Sequence, residues 1–248
     1  MTILGVLLIA VAVADLCRRR TLPVWAPLAA GPLMIIALGL LAGLGSVGGI
    51  CLLIGSGLIT VGWVVLAGRS RIQAAAEGVP LGVLIGGVLV VIILSPLAGS
   101  AGGVLAAWLR ASGWPALAAV GPDRFLLLAG LFLIQLSTGN EIVRLVLAAT
   151  GTIKPFGQPQ AADQLRGGRM LGPLERVFLF GLGFTGHATA AGLVIAAKGL
   201  IRFPELNARR SGGSVSGVGI DEVTEYFLLG SFLSWLISLI GIGIAAIG

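Results

Sequence analysis

Almost every residue able to do chemistry in this chain sits inside or beside an apolar run. Asn140, Glu141 and Arg144 fall within one such run. Arg169, Glu175 and Arg176 enter a second, and Lys198, Arg202 and Glu205 leave it. Glu225 and Tyr226 open the last run, and Asp15 and Arg18 close the first. Glu141 and Arg144 are three apart and share a helical face. A charged group within a membrane segment costs roughly 2.5–3.5 kcal/mol on insertion scales, so it is kept paired or beside water. The pair reads either as a self-satisfied staple for a neighbouring helix or as a contact for an ion or ligand. Lys198 and Arg202 are four apart. Like charges at that spacing repel unless a carboxylate or an anion neutralises them. Glu175 and Glu225 are the internal candidates for that role, and a phosphate or lipid headgroup is the external one. Snorkelling of both cations to the interface is the structural alternative.

Other motifs are weaker. His187 is the sole histidine and reads as a structural donor beside a turn. Asp221, Glu222 and Glu225 could hold Mg²⁺ beside a phosphate substrate, although acids at a helix start also complement its dipole. No nucleotide-binding loop, nucleophile elbow or His/Cys metal cluster stands in a suitable context. Gly181 to Gly186 is superficially like a dinucleotide fingerprint, but its spacing is one step short and no strand precedes it. No catalytic residue, metal ligand or cofactor is assigned. Cys51 reads as a small packing residue and Cys17 as an inert thiol at a membrane edge.

These residues are set in a chain of 248 that is 57% hydrophobic and 10% charged, with mean hydropathy +1.07 and 40 glycines. Soluble domains carry about 25% charged residues. So few charges could not cover the surface in water, which excludes an ordinary soluble enzyme, a disordered chain and a disulfide scaffold. The net charge of +6 is the arginine excess of cytoplasmic loops rather than a nucleic-acid footprint. Membrane lipids are the expected surroundings.

The apolar blocks are residues 2–17, 23–45, 46–68, 78–98, 125–150, 171–203 and 223–247. A span needs about 20 mostly apolar residues. Residues 100–122, with Trp108 and Trp114, read as an interfacial segment. As one helix, the 33 residues of block 171–203 would be about 50 Å long, against a hydrocarbon core of about 30 Å. Three glycines between 181 and 186 favour two arms, 173–183 and 188–203, turning near Gly186. The fold class expected is all-α: a polytopic integral membrane helical bundle of 7–8 segments, with a broken or re-entrant hairpin at 171–203. It forms a single transmembrane domain over 1–248, weakly patterned in 1–122 and motif-bearing in 123–248. No charge precedes the first run and Arg18, Arg19 and Arg20 follow it, so the N-terminus is expected outside as an uncleaved helix. That orientation gathers the charged residues above on the cytoplasmic side. Gly78, Gly82 and Gly86, like Gly39 and Gly43, stand four apart. Such spacing serves either a dimer face or, the preferred reading, packing within the chain.

Three ordered stretches carry a resemblance: Gly168 to Arg176, Ala196 to Leu206, and Glu225 to Ser231. They read GRMLGPLER, AAKGLIRFPEL and EYFLLGS, and they resemble the C-terminal part of a bacterial membrane family, domain of unknown function 3307. Its members carry similar G-R-x-x-G-x-L-E-R, A-A-K-x-x-x-R-F-x-E and E-Y-F-L-x-G segments. The family pattern also has a histidine and an aspartate in helix one, of which only Asp15 is matched here. The resemblance implies an inner-membrane protein and supplies no activity. The function expected is binding or transport of an anionic solute or lipid headgroup through a cytoplasm-facing charged cavity. Its ligand set is Asn140, Glu141, Arg144, Arg169, Glu175, Arg176, Lys198, Arg202, Glu225 and Tyr226. A structural or assembly protein, and an enzyme acting on a phospholipid or isoprenoid phosphate, are the alternatives. Homo-oligomerisation is open, and nucleic acid is not an expected partner.

Overall fold

A computed structural model describes residues 1–18, 22–23, 25–73, 77–153, 168–211 and 220–248. For residues 72–73, 168–170, 188, 201–211 and 220 it describes the backbone alone. Among these residues every regular element is helical. In chain order they are α1 (Thr2–Leu16), α2 (Ala26–Leu41), α3 (Val47–Gln73) and α4 (Gly78–Leu94), which runs into a 3₁₀ turn at Ser95–Ala98. The short α5 (Gly103–Ala111) and α6 (Pro115–Ala118) follow. Then come α7 (Pro122–Leu136), α8 (Thr138–Ala149), α9 (Gly168–Phe184), α10 (Ala188–Ser211) and α11 (Ile220–Ile247).

The centre of the bundle is α1. It is apolar on every side, the pattern of a helix enclosed by others, and Thr2 to Ala12 with Ala14 are buried. It crosses α7 backbone to backbone. A Cβ on Gly5 would lie 2.5 Å from the Leu126 carbonyl carbon, and one on Gly130 would lie 2.9 Å from Gly5 O. At the far end of this crossing Asp123 accepts from the Ala101 N–H at 2.7 Å and from the Thr2 hydroxyl.

Among the described residues three stretches are long and apolar enough to cross a membrane: Val47–Arg71, Gly78–Ala98 and Asp221–Ile247. A fourth arises if α7 and α8, bent by 52°, are taken as one span. Among the described residues the 7–8 segments expected from composition are not reached. Helices α1 and α2 have 15 and 16 residues, about 22–24 Å of rise against a core of about 30 Å. Their apolar blocks are longer than their helices because residues flanking them, such as Gly43 at φ +66° after α2, are apolar without being helical. Residues 100–122 form the short α5 and α6, with Trp114 exposed and Trp108 edge-on to Phe125 at 6.0 Å.

Block 125–150 is broken where a continuous helix was expected. Ser137 leaves helical geometry with φ −121° and ψ −71°. Ser137, Thr138, Gly139 and Asn140 are four consecutive poor helix formers. The Ser137 hydroxyl donates to Ala12 O at 3.0 Å and Leu133 O at 3.1 Å, pinning the break against α1. Block 171–203 does turn at Thr185–His187 between α9 and α10, with Gly186 at φ +81° and the His187 N–H on Leu182 O at 2.8 Å. The second arm runs on to Ser211. Gly78, Gly82 and Gly86 differ from the preferred reading. Open space surrounds the Cβ position of each, and it is Gly87 that seats against Ile59.

Candidate functional site

The break at Ser137 makes the first turn of α8 a polar wedge with two faces. Thr138 and Glu141 look toward α1 and α3. Gly139 and Asn140 look toward α9 and α11. Each face meets its own charged cluster.

On the first face Glu141 is buried and accepts from two guanidiniums. Arg144 Nη2 reaches Oε1 at 2.7 Å and Arg144 Nε at 3.2 Å. Arg71, at the end of α3, donates from Nε to Oε1 at 3.2 Å and from Nη2 to Oε2. Beside them Asp15 accepts from Trp63 Nε1 at 3.0 and 3.2 Å and pairs with Arg18 at 2.9 Å. Arg18 also donates to Val64 O at 3.1 Å, and the two ion-pair groups lie within electrostatic reach of one another. The cluster joins the C-terminal ends of α1 and α3 to the start of α8.

On the second face the guanidinium of Arg176 is only 1% exposed. Its Nε donates to Gln135 O at 2.9 Å, Nη2 to Asn140 Oδ1 at 2.6 Å, and Nη1 to Ser234 Oγ at 3.0 Å. Gln135 O is one of the carbonyls that a continuous helix would bond to the N–H four residues on, at Gly139. The break frees it and Arg176 takes it. A Cβ on Gly139 would stand 2.7 Å from Arg176 Nε, so glycine is what admits the side chain. Ser238, one turn beyond Ser234 on α11, donates to Gln135 Oε1 and Arg176 O, each at 3.3 Å. Together these bonds cover the irregular backbone at the break.

A third group joins the hairpin arms. Lys198 Nζ lies 2.6 Å from Glu175 Oε2, and the same ammonium sits 5.5 Å from the Phe227 ring centre and 5.8 Å from that of Trp235. Ring faces and a carboxylate together hold the cation.

The candidate set thus falls into separate groups: Glu141 with Arg144, Asn140 with Arg176, and Glu175 with Lys198. Glu225 lines a cavity of about 280 Å³ with Glu222, Thr150, Gly151 and Thr152, and half-buried Tyr226 follows it on α11. Arg169 and Arg202 lie on the backbones of α9 and α10, their side chains outside the described residues. Among the described residues no three His, Cys, Asp or Glu side chains are grouped to hold a metal. His187 Nδ1 is exposed and 3.1 Å from Thr185 Oγ1.

Sequence reasoning placed Asp15, Arg18 and Arg71 only at membrane edges and passed over Trp63, Gln135, Ser234 and Ser238. The available signals were a glutamine inside an apolar run and two serines four apart on one helical face. No family model, curated protein or solved structure matches the chain.

Proposed function

We propose that this protein is a bacterial inner-membrane protein that binds or carries an anionic solute or lipid headgroup at the broken span α7–α8. One observation supports the reading above others. Arg176 is buried and held by three neutral oxygens, with no carboxylate bonded to it among the described residues. Its neighbour Glu175 is engaged by Lys198. Buried cations ordinarily carry a counter-charge. A guanidinium at a helix break, backed by the start of α8, is the arrangement in which discontinuous membrane helices meet anionic substrates.

In this reading α1 and α2 also lie within the membrane, shielded by the longer helices. The arms α9 and α10 form a hairpin that enters and leaves on the cytoplasmic side, in line with Arg18, Arg69 and Arg71 at the inner edge. The C-terminal motifs keep their resemblance to domain of unknown function 3307, and Arg176 and Lys198 stand within two of them.

The test uses the full chain in nanodiscs of phosphatidylcholine, with phosphatidylglycerol or inorganic phosphate titrated in. Wild type binds one of the two saturably. Arg176→Gln, whose amide can still reach Gln135 O, binds it at least tenfold more weakly with its fold retained. Equal binding by this variant defeats the reading. One arrangement favours a second reading, a purely structural protein: Glu141 and Glu175 are each already satisfied by cations. Under that reading no anion binds wild type, and Arg176→Gln lowers stability alone.

A further inference from the structure

The other face of α8 carries a separate feature. Two hydroxyls there are buried and have no hydrogen-bond partner among the described residues: Thr138 Oγ1, 0% exposed, and Ser70 Oγ, 5% exposed. Thr138 stands beside the Asp15 carboxylate. Ser70 precedes Arg71 and lies three residues beyond Ala67, whose carbonyl faces Arg144 Nη2 at 3.5 Å. It is also two turns from Trp63, which bonds Asp15. One face of α3 therefore points Trp63, Ala67 and Ser70 at the junction.

Charge is unbalanced at the same place. Among the described residues Arg18, Arg71 and Arg144 face Asp15 and Glu141, three cations against two anions. A cation would be repelled from such a cluster. Water alone would satisfy the hydroxyls and leave the extra charge. Arg71 is about half exposed and Arg144 about a quarter, so their outer N–H groups open to the surface while their inner ones hold Glu141. Planar guanidinium forks and hydroxyl donors match the oxygens of a phosphate.

We propose that the junction of α1, α3 and α8 is a phosphate-binding site, taking a phospholipid headgroup or free phosphate, in which Arg71 and Arg144 engage the group and the Ser70 and Thr138 hydroxyls donate to it. The site does not use Arg176 and does not depend on the reading of that residue.

The experiment measures binding of inorganic phosphate, and separately of phosphatidylglycerol in nanodiscs, to the full chain and to Thr138→Val, Ser70→Ala and Ser56→Ala. Ser56 is the control, an equally buried and unpartnered hydroxyl on α3 fourteen residues before Ser70. All three variants fold, because an unpartnered buried hydroxyl is replaced by a group of similar shape. Thr138→Val and Ser70→Ala each weaken binding about tenfold, while Ser56→Ala leaves it intact. Saturation by free phosphate marks a soluble ligand, and saturation by phosphatidylglycerol alone marks a lipid headgroup. Either result supports the site. Absence of binding by wild type overturns it, as does binding that responds to Arg176→Gln and ignores both hydroxyl variants.

Discussion

Arg176 and Gly139 form a lock whose tolerance is steric. Adding a methyl at Gly139 places a carbon 2.7 Å from Arg176 Nε, in a site walled by Gln135, Ser234 and Asn140. Gly139→Ala is expected to displace the guanidinium and cost about 2 kcal/mol, the scale of overpacking a filled interior. Gly181→Ala on α9, whose Cβ position is open, is expected to be neutral. Thermal melts of both variants in one detergent check the contrast. Glu141 predicts a second loss. Its carboxylate balances Arg71 and Arg144, so Glu141→Gln leaves two cations facing each other. Breaking one side of a buried ion pair costs about 3–5 kcal/mol. The partial exposure of both arginines places the expected loss at the lower end, about 3 kcal/mol, measurable by the same melts.

Helix packing predicts which glycines matter. At the crossing of α1 and α7 a Cβ on Gly5 would overlap the backbone of Leu126 and Leu127. Backbone has no rotamer by which to yield. Gly5→Val is therefore expected to unseat the central helix and prevent a folded, monodisperse protein. Gly82→Val on α4 meets open space and is expected to change stability by less than about 0.5 kcal/mol. Size-exclusion profiles after purification distinguish the two. Spacing alone ranked these positions the other way, because the four-residue repeat at Gly78, Gly82 and Gly86 is conspicuous and single glycines at a crossing carry no pattern.

Orientation is the question that belongs to the whole molecule. The end of α10 is expected in the cytoplasm. With Cys17 and Cys51 replaced by serine, a single cysteine at Ser211 should resist an impermeant thiol reagent on intact cells and react after lysis. Labelling of intact cells would put the end of α10 outside and overturn the cytoplasmic placement of the hairpin. The observed 2.6 Å ion pair between Glu175 and Lys198, on the two arms of a turn, is what the hairpin provides and a straight crossing would not.

What the sequence determined by itself was set by composition and local chemistry. Scarce charge and high hydropathy specify helices with apolar surroundings, since backbone polar groups in lipid must be satisfied within the helix. The turn near Gly186 was legible because clustered glycines resist helix locally, and the Glu141–Arg144 pair because an i,i+3 spacing is a local geometry. Neither the burial of α1 at the centre nor the break at Ser137 could be read that way. A short apolar helix looks the same against lipid or against protein, and a weak helical stretch bends only when a neighbour, here Ala12 and Arg176, takes the hydrogen bonds it gives up. The partners of Arg176 come from α7, α8 and α11, and Glu141 draws Arg71 across seventy residues. Such meetings depend on how helices stack, and only the tertiary structure decides that.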